Sequence, residues 1–224
     1  MKFENAKKFG MVIDLDKCTG CGTCTVACMA ENNVPFREDD TDKLLSVAWM
    51  RIYRLTNGKA FPDTEECYLP RPCQHCEGSH GQSPCVSVCP ATATDYDMDT
   101  GIVSQIYTRC FGCRYCMAAC PFHVRQFNWW DPVWPDGMEK SLNPNVSVRM
   151  RGIVEKCSFC IHRYQGAKEQ AYMEGRRELE EGEYCLLYTS DAAGIHIVVR
   201  GRGRANRHTG RMTVAAFTML AGAG

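Results

Sequence analysis

The sequence predicts an α+β fold of short helices and two-stranded hairpins, repeated along the chain and organised around cysteine rather than around one apolar core. Three observations predict it. Sixteen of the 224 residues are cysteine, against six histidines. Most of these cysteines fall into four groups of closely similar spacing. Between the groups lie short runs with the turn signals of hairpins and the length of short helices.

The first group is Cys18-x-x-Cys21-x-x-Cys24-x-x-x-Cys28. The second is Cys73-x-x-Cys76, then Cys85-x-x-x-Cys89-Pro90. The third, Cys110-x-x-Cys113-x-x-Cys116-x-x-x-Cys120-Pro121, repeats the spacing of the first, and the fourth is the short run Cys157-x-x-Cys160. The C-x-x-C-x-x-C-x-x-x-C-P run is the bacterial ferredoxin pattern, in which three close thiolates grip one [4Fe-4S] cubane and the fourth cysteine serves a neighbouring one. Three cysteines at two-residue gaps wrap a tight loop around a cube, and Gly22 and Gly112 are expected to let the backbone approach it closely. The fourth lies about one helical turn further on. The fold class is therefore tandem bacterial-ferredoxin-like domains, with short helices and β-hairpins around [4Fe-4S] clusters.

Two other uses of cysteine compete. Zinc sites use two separated C-x-x-C pairs for one tetrahedral ion, so a zinc-stabilised interaction module is an alternative, although the triplets leave a thiolate unused. Disulfides are disfavoured because cysteines this close in one loop rarely reach the required geometry. Cys67 has no partner at ligand spacing and reads as a buried or incidental thiol. His75 sits between group-two cysteines and is expected to be a hydrogen-bonding neighbour rather than a ligand.

After Cys24, the run TVACMAENN predicts a short helix, and Cys116-MAAC predicts a shorter one ended by Pro121. VAWMRIYRLTNGKAFP predicts a strand, an Asn57-Gly58 turn and a return strand. TDYDMDTGIVSQIY predicts a second hairpin with its turn at Asp99–Gly101. QFNWWDPVWPDGMEKSLNPNVSV, rich in Pro and Trp, predicts an extended arm. Its Trp129, Trp130 and Trp134 are expected to pack in the core or at an interface, with shielding of a cluster or docking on a partner as the functional alternative. AKEQAYMEGRRELEEGEY predicts a charged, largely solvated helix.

Net charge is zero over the whole chain, but from Cys185 onward there are five arginines and one acid, a balance of +4, which leaves −4 for residues 1–184. A mildly acidic body carries no nucleic-acid footprint. The opening MKFENAKKFG has neither the apolar segment nor the cleavage site of a signal peptide, and no apolar stretch has the length that spans a bilayer. A soluble or peripheral protein is expected.

Together "KCTGCGTCTVAC", "PRPCQHC…SPCVSVCP", "RCFGCRYCMAACPF" and "RGIVEKCSFCIHR" resemble the four-cluster iron–sulfur subunit of molybdopterin oxidoreductases, of the dimethyl sulfoxide, polysulfide and tetrathionate reductase type. The likeness covers about residues 9–184. It implies that Cys73, Cys76, Cys85 and Cys120 hold one cubane and Cys110, Cys113, Cys116 and Cys89 the next. It also implies that Cys18, Cys21 and Cys24 contribute to a third and Cys28, Cys157 and Cys160 to a fourth, each needing one more cysteine. The implied function is a relay of electrons between a molybdopterin catalytic subunit and a polytopic, quinone-reactive membrane subunit. The chain is expected to be non-catalytic, to bind no organic substrate and no nucleic acid, and to lie peripheral to the cytoplasmic membrane within that complex. A relay subunit for a hydrogenase or formate dehydrogenase is the alternative partner reading.

The expected organisation is a first ferredoxin-like half with a hairpin insertion at 1–66, pairing with 150–184. A second ferredoxin-like unit occupies 67–127, an arm 128–149, and the start of group four with the charged helix 150–184. In the resembled family a P-x-C-V-x-x-C-P-like segment follows the last helix; here Cys185-LLYTSDAA follows instead. That string resembles what one frame of a sequencing-library adapter encodes, so 185–224 is expected to be a non-native tail and Cys185 no ligand.

Overall fold

The computed structural model describes residues 8–35, 46–78, 82–179, 183 and 195–200. Among them lie four two-stranded antiparallel sheets and four short α-helices, an α+β chain with no large sheet. The helices are α1 (Thr23–Glu31), α2 (Pro84–Ser87), α3 (Tyr115–Ala118) and α4 (Ile161–Met173). The strands are β1 (Lys8–Ile13), β2 (Arg51–Thr56), β3 (Glu66–Arg71), β4 (Thr94–Tyr96), β5 (Val103–Gln105), β6 (Gln126–Phe127), β7 (Val154–Glu155) and β8 (Ile195–Arg200). No described helix is long and apolar enough to cross a membrane.

The β4–β5 hairpin forms as the sequence predicts, closed by the Gly101 amide on the Asp97 carbonyl at 2.8 Å. The β2–β3 hairpin forms too, but its return strand starts at Glu66 rather than just after Gly58. Residues 57–65 instead make a loop held by its own polar groups. Asn57 Nδ2 donates to the Asp63 carbonyl at 2.8 Å, and Thr64 Oγ1 donates to the Lys59 carbonyl at 2.9 Å. The charged helix is displaced as well. It begins at Ile161, directly behind Cys160, and ends at Met173, because Gly175 takes a left-handed turn with φ 76°. Arg176 beyond it folds back to pair with Glu174 and Glu183, each at 2.5 Å.

Residues 128–149 are irregular apart from a 3₁₀ turn at Met138–Ser141. They are tied to the end of α1 by Asn33, whose Nδ2 donates to the Asn143 and Val146 carbonyls at 2.8 and 2.6 Å. Trp129 and Trp130 are each exposed, at 37%, rather than packed in the core, with Trp129 set edge-on to Phe127 at 4.7 Å. From the tail, β8 pairs antiparallel with β1, Ile195 opposite Ile13; the remaining tail residues, Cys185 included, lie outside the described residues.

Cysteine is part of the core. Cys24, Cys28, Cys73, Cys120 and Cys157 are buried in one cluster with Val34, Trp49, Met50, Ile102, Phe159 and Tyr164. A buried ion pair crosses this core, Arg149 to Glu155 at 2.9 Å, and Trp49 Nε1 donates to the same Glu155 Oε2 at 2.9 Å.

Candidate metal centres

All four C-x-x-C loops share one backbone device. The residue before the second cysteine is left-handed in each: Gly20 at φ 70°, His75 at 46°, Gly112 at 78° and Phe159 at 54°. A left-handed residue curls the chain so that successive amides turn to one side, the arrangement that makes anion-binding concavities. Two of the four are glycine for lack of room. A Cβ on Gly20 would overlap the Tyr68 ring, and one on Gly112 would overlap the Gly152 carbonyl. The space beside Gly112 is thus taken by the 150–155 segment of the chain itself.

Groups two and three come together crosswise. Cys73, Cys76, Cys85 and Cys120 line one cavity of about 340 Å³, with His75, Val103 and Arg125 also in its walls. Cys89, Cys110, Cys113 and Cys116 line a second, of about 290 Å³. Helix α2 presents Cys85 to the first cavity, and Cys89, just past its end, faces the second. Helix α3 presents Cys116 to the second, and Cys120, just past its end, faces the first. A step of little more than one helical turn thus carries the chain from one cavity to the other.

Groups one and four also meet. Asn32 Nδ2 lies 3.8 Å from Cys28 Sγ and 3.6 Å from Cys160 Sγ, and burial followed by the Cys157 and Cys160 charges pushes the Cys28 thiol well up. Cys18 and Cys21 act electrostatically on Cys24, whose thiol burial raises. Cys67, half-buried on β3 opposite Leu55, joins none of these sets.

The sites suit thiolate-bound clusters. Burial, reinforced by neighbouring sulfurs, pushes Cys76 to about 11 and Cys160 to about 12, and burial likewise takes Cys157 to about 11. Such thiols ionise only with a bound metal to take the charge. Amides already face sulfur: Ala93 N–H to Cys89 Sγ at 3.2 Å, Val154 to Cys110 and Phe159 to Cys157, both at 3.5 Å. Among the described residues no three His, Cys, Asp or Glu side chains are arranged to hold a single metal ion.

His75 behaves as a neighbour of the site. Its Nδ1 accepts the Val103 amide at 3.0 Å, and burial, then Lys156 and Arg125, hold its pKa well below the usual value. The sequence reading missed Asn32, Arg125 and Lys156. Lys156 is fully buried and donates from Nζ to the Val103 carbonyl and, at 2.7 Å, to that of Cys157. Its position directly before Cys157 was the available signal; nothing in the sequence marks Arg125 as buried.

Comparison with known proteins bears on the same residues. A "4Fe-4S dicluster domain" family matches residues 64–135, and a "4Fe-4S binding domain" family matches 9–30. The chain is 59% identical over 184 residues to the "Menaquinone reductase, iron-sulfur cluster-binding subunit" of Nitratidesulfovibrio vulgaris, covering 81% of this chain and 71% of that one. It is 40% identical over 177 residues to the putative dimethyl sulfoxide reductase iron–sulfur subunit of Halobacterium salinarum, covering 73% and 60%. It is 39% identical over 166 residues to a selenate reductase subunit of Mesobacillus selenatarsenatis, covering 68% and 52%. The chain thus spans between about half and three-quarters of the length of these relatives.

Proposed function

Because this chain belongs to the iron–sulfur cluster-binding subunits of the molybdopterin oxidoreductases, we propose that it relays electrons through [4Fe-4S] clusters between a molybdopterin catalytic subunit and a quinone-reactive membrane subunit. The observation that carries this reading is the crosswise convergence of eight cysteines on two cavities. Cys73, Cys76, Cys85 and Cys120 hold one cubane; Cys89, Cys110, Cys113 and Cys116 hold another. Residues 67–127 are then one ferredoxin-like unit. The first half and group four make a second, tandem unit, with Cys18, Cys21 and Cys24 at one site and Cys28, Cys157 and Cys160 at the other. Each of these takes its remaining ligand from outside the named set. Menaquinone is the favoured quinone, on the strength of the 59% relative's name.

When bound, a cubane supplies a one-electron couple in which no covalent bond is made or broken. The protein's share is to exclude water with apolar walls and to donate N–H groups to sulfur, and these set the potential. The chain itself performs no substrate chemistry and is held at the membrane by its partners.

The test is to reconstitute the full chain and count iron, sulfide and paramagnetic centres after reduction, then repeat with Cys113→Ser. One cubane is expected to disappear while that of Cys73, Cys76, Cys85 and Cys120 stays. Equal loss of both in a variant whose circular dichroism is unchanged refutes the ligand assignment.

A further inference from the structure

Arg125 follows β-hairpin β4–β5 and helix α3 in the chain and sits where their two cavities share a wall. It is only 3% exposed and lines the cavity of Cys73, Cys76, Cys85 and Cys120. One end of its guanidinium is anchored on the other side. Nη1 donates to Gln105 Oε1 at 2.8 Å and to Thr94 Oγ1 at 3.2 Å, and both partners line the cavity of Cys89, Cys110, Cys113 and Cys116. Thr94 and Gln105 are register partners across β4–β5, and Thr94 Oγ1 donates to Gln105 Oε1 at 3.0 Å. The anchor is therefore rigid.

The other end is unfinished. Nη2 is buried and makes no hydrogen bond of full geometry among the described residues, while the guanidinium reaches the Cys85 and Cys116 thiols. A buried N–H left unmade costs roughly 1–3 kcal/mol, more on a charged group, so the fold holds this donor ready for an acceptor. The acidic side chains acting on Arg125 are thiols, Cys85, Cys116 and Cys73, one from the second cavity and two from the first. Burial pushes the Cys116 thiol up while Arg125 pulls against it. Arginine keeps its charge at every working pH.

We propose that Arg125 is a potential-setting residue, donating its free Nη2–H to cluster sulfur and placing one fixed positive charge beside both cubanes of the 67–127 unit. It rests on the reading that these eight cysteines hold two cubanes. Each cubane gains one electron on reduction and one unit of negative charge, so a fixed cation in a water-poor wall favours the reduced form of both. The same cation offsets part of the repulsion between two adjacent clusters when both are reduced.

The experiment uses the reconstituted full chain in a mediated redox titration read by electron paramagnetic resonance, for wild type, Arg125→Met and Arg125→Lys. At fixed potential the Met variant is expected to lower the reduced-to-oxidised ratio of both clusters tenfold or more, a shift of about 59 mV or more for a one-electron couple. Lys, which keeps the charge but not the fork, is expected to fall between. Unchanged midpoints in an iron-replete Met variant overturn the proposal. Should the Met variant lose iron, the wild type labelled with guanidinium ¹⁵N-arginine decides. Electron–nuclear double resonance is expected to show nitrogen coupled to a reduced cluster, retained in Arg114→Lys, which removes the other arginine that lines these two cavities; absence of that coupling overturns the proposal. Fewer than two cubanes in the wild type overturns the underlying reading, and this proposal with it.

Discussion

His75 and Phe159 stack ring on ring, centroids 4.0 Å apart and planes inclined by 11°, and each occupies the left-handed position of its own cysteine loop. Groups one and three use glycine there; groups two and four accept the backbone cost of a side chain and use it to join the loops. The His75 loop is fixed in turn by the Val103 amide on Nδ1.

This arrangement predicts an inverted substitution order at Phe159. Phe159→Ala is expected to lose about 3–5 kcal/mol of stability, the range for emptying a buried aromatic site. Phe159→Gly removes the same ring but relieves a left-handed residue, so it is expected to cost about 1 kcal/mol less than alanine. Urea unfolding of the two variants measures the order. Alanine matching or exceeding glycine in stability would show that the loop is not strained at this position.

The Arg149–Glu155 pair makes a second prediction. Both side chains are essentially inaccessible, and the Glu155 oxygen also takes the Trp49 indole N–H. Removing one partner strands a buried charge, so Glu155→Ala is expected to cost about 3–5 kcal/mol. The double variant Arg149→Met, Glu155→Leu, which removes both charges, is expected to recover part of that. A single variant within about 1 kcal/mol of wild type would show that the pair is solvated in solution.

A third prediction concerns pH. Glu31, near the end of α1, pairs with Arg163 and His162 of α4, each at 2.6 Å. The Arg163 hydrogen bond, against a smaller opposing effect of burial, holds its carboxyl below the usual range. A depressed carboxylate stabilises the fold fully above its ordinary pKa and loses that contribution as pH falls through the folded value. Because the pair is partly exposed, Glu31→Gln is expected to cost only about 0.5–1 kcal/mol near neutrality. The gap to wild type in urea titrations is expected to stay level from about pH 7 to about pH 5 and to narrow only below about pH 4, as pH falls through the lowered folded value. A gap that fails to narrow between about pH 4 and about pH 2 would show that the charge contributes nothing.

Spacing carries some kinds of information and not others. The cysteine rhythm marked the cluster loops and the two short helices, because a ligand run constrains neighbours a few residues apart, as at Cys113 and Cys116. The hairpins were legible from their turn residues, yet the β3 start was not. Its loop is closed by Asn57 and Thr64 side chains reaching the backbone of Asp63 and Lys59, which no period reveals. Helix α4 was placed too late because charge pattern marks a solvated face and not its ends; the stop is set by Gly175. Arg125 and Asn32 were invisible, and Lys156 was marked only by its place before Cys157, for a further reason. Each is polar, and only the folded chain shows that it is buried beside sulfur.

Asn32 and Cys160, 128 residues apart in the chain, face each other, whereas Cys73 and Cys120 share a cavity within the middle of the sequence. Doubling a closed loop costs only about 0.6 kcal/mol, so the difference is small as energy and large as timing. A chain emerging from the ribosome has all eight central thiols before residue 121 is made, but the pocket of Cys28 waits until Cys160 appears. Groups two and three are thus all in hand during synthesis before groups one and four can meet across the length of the chain.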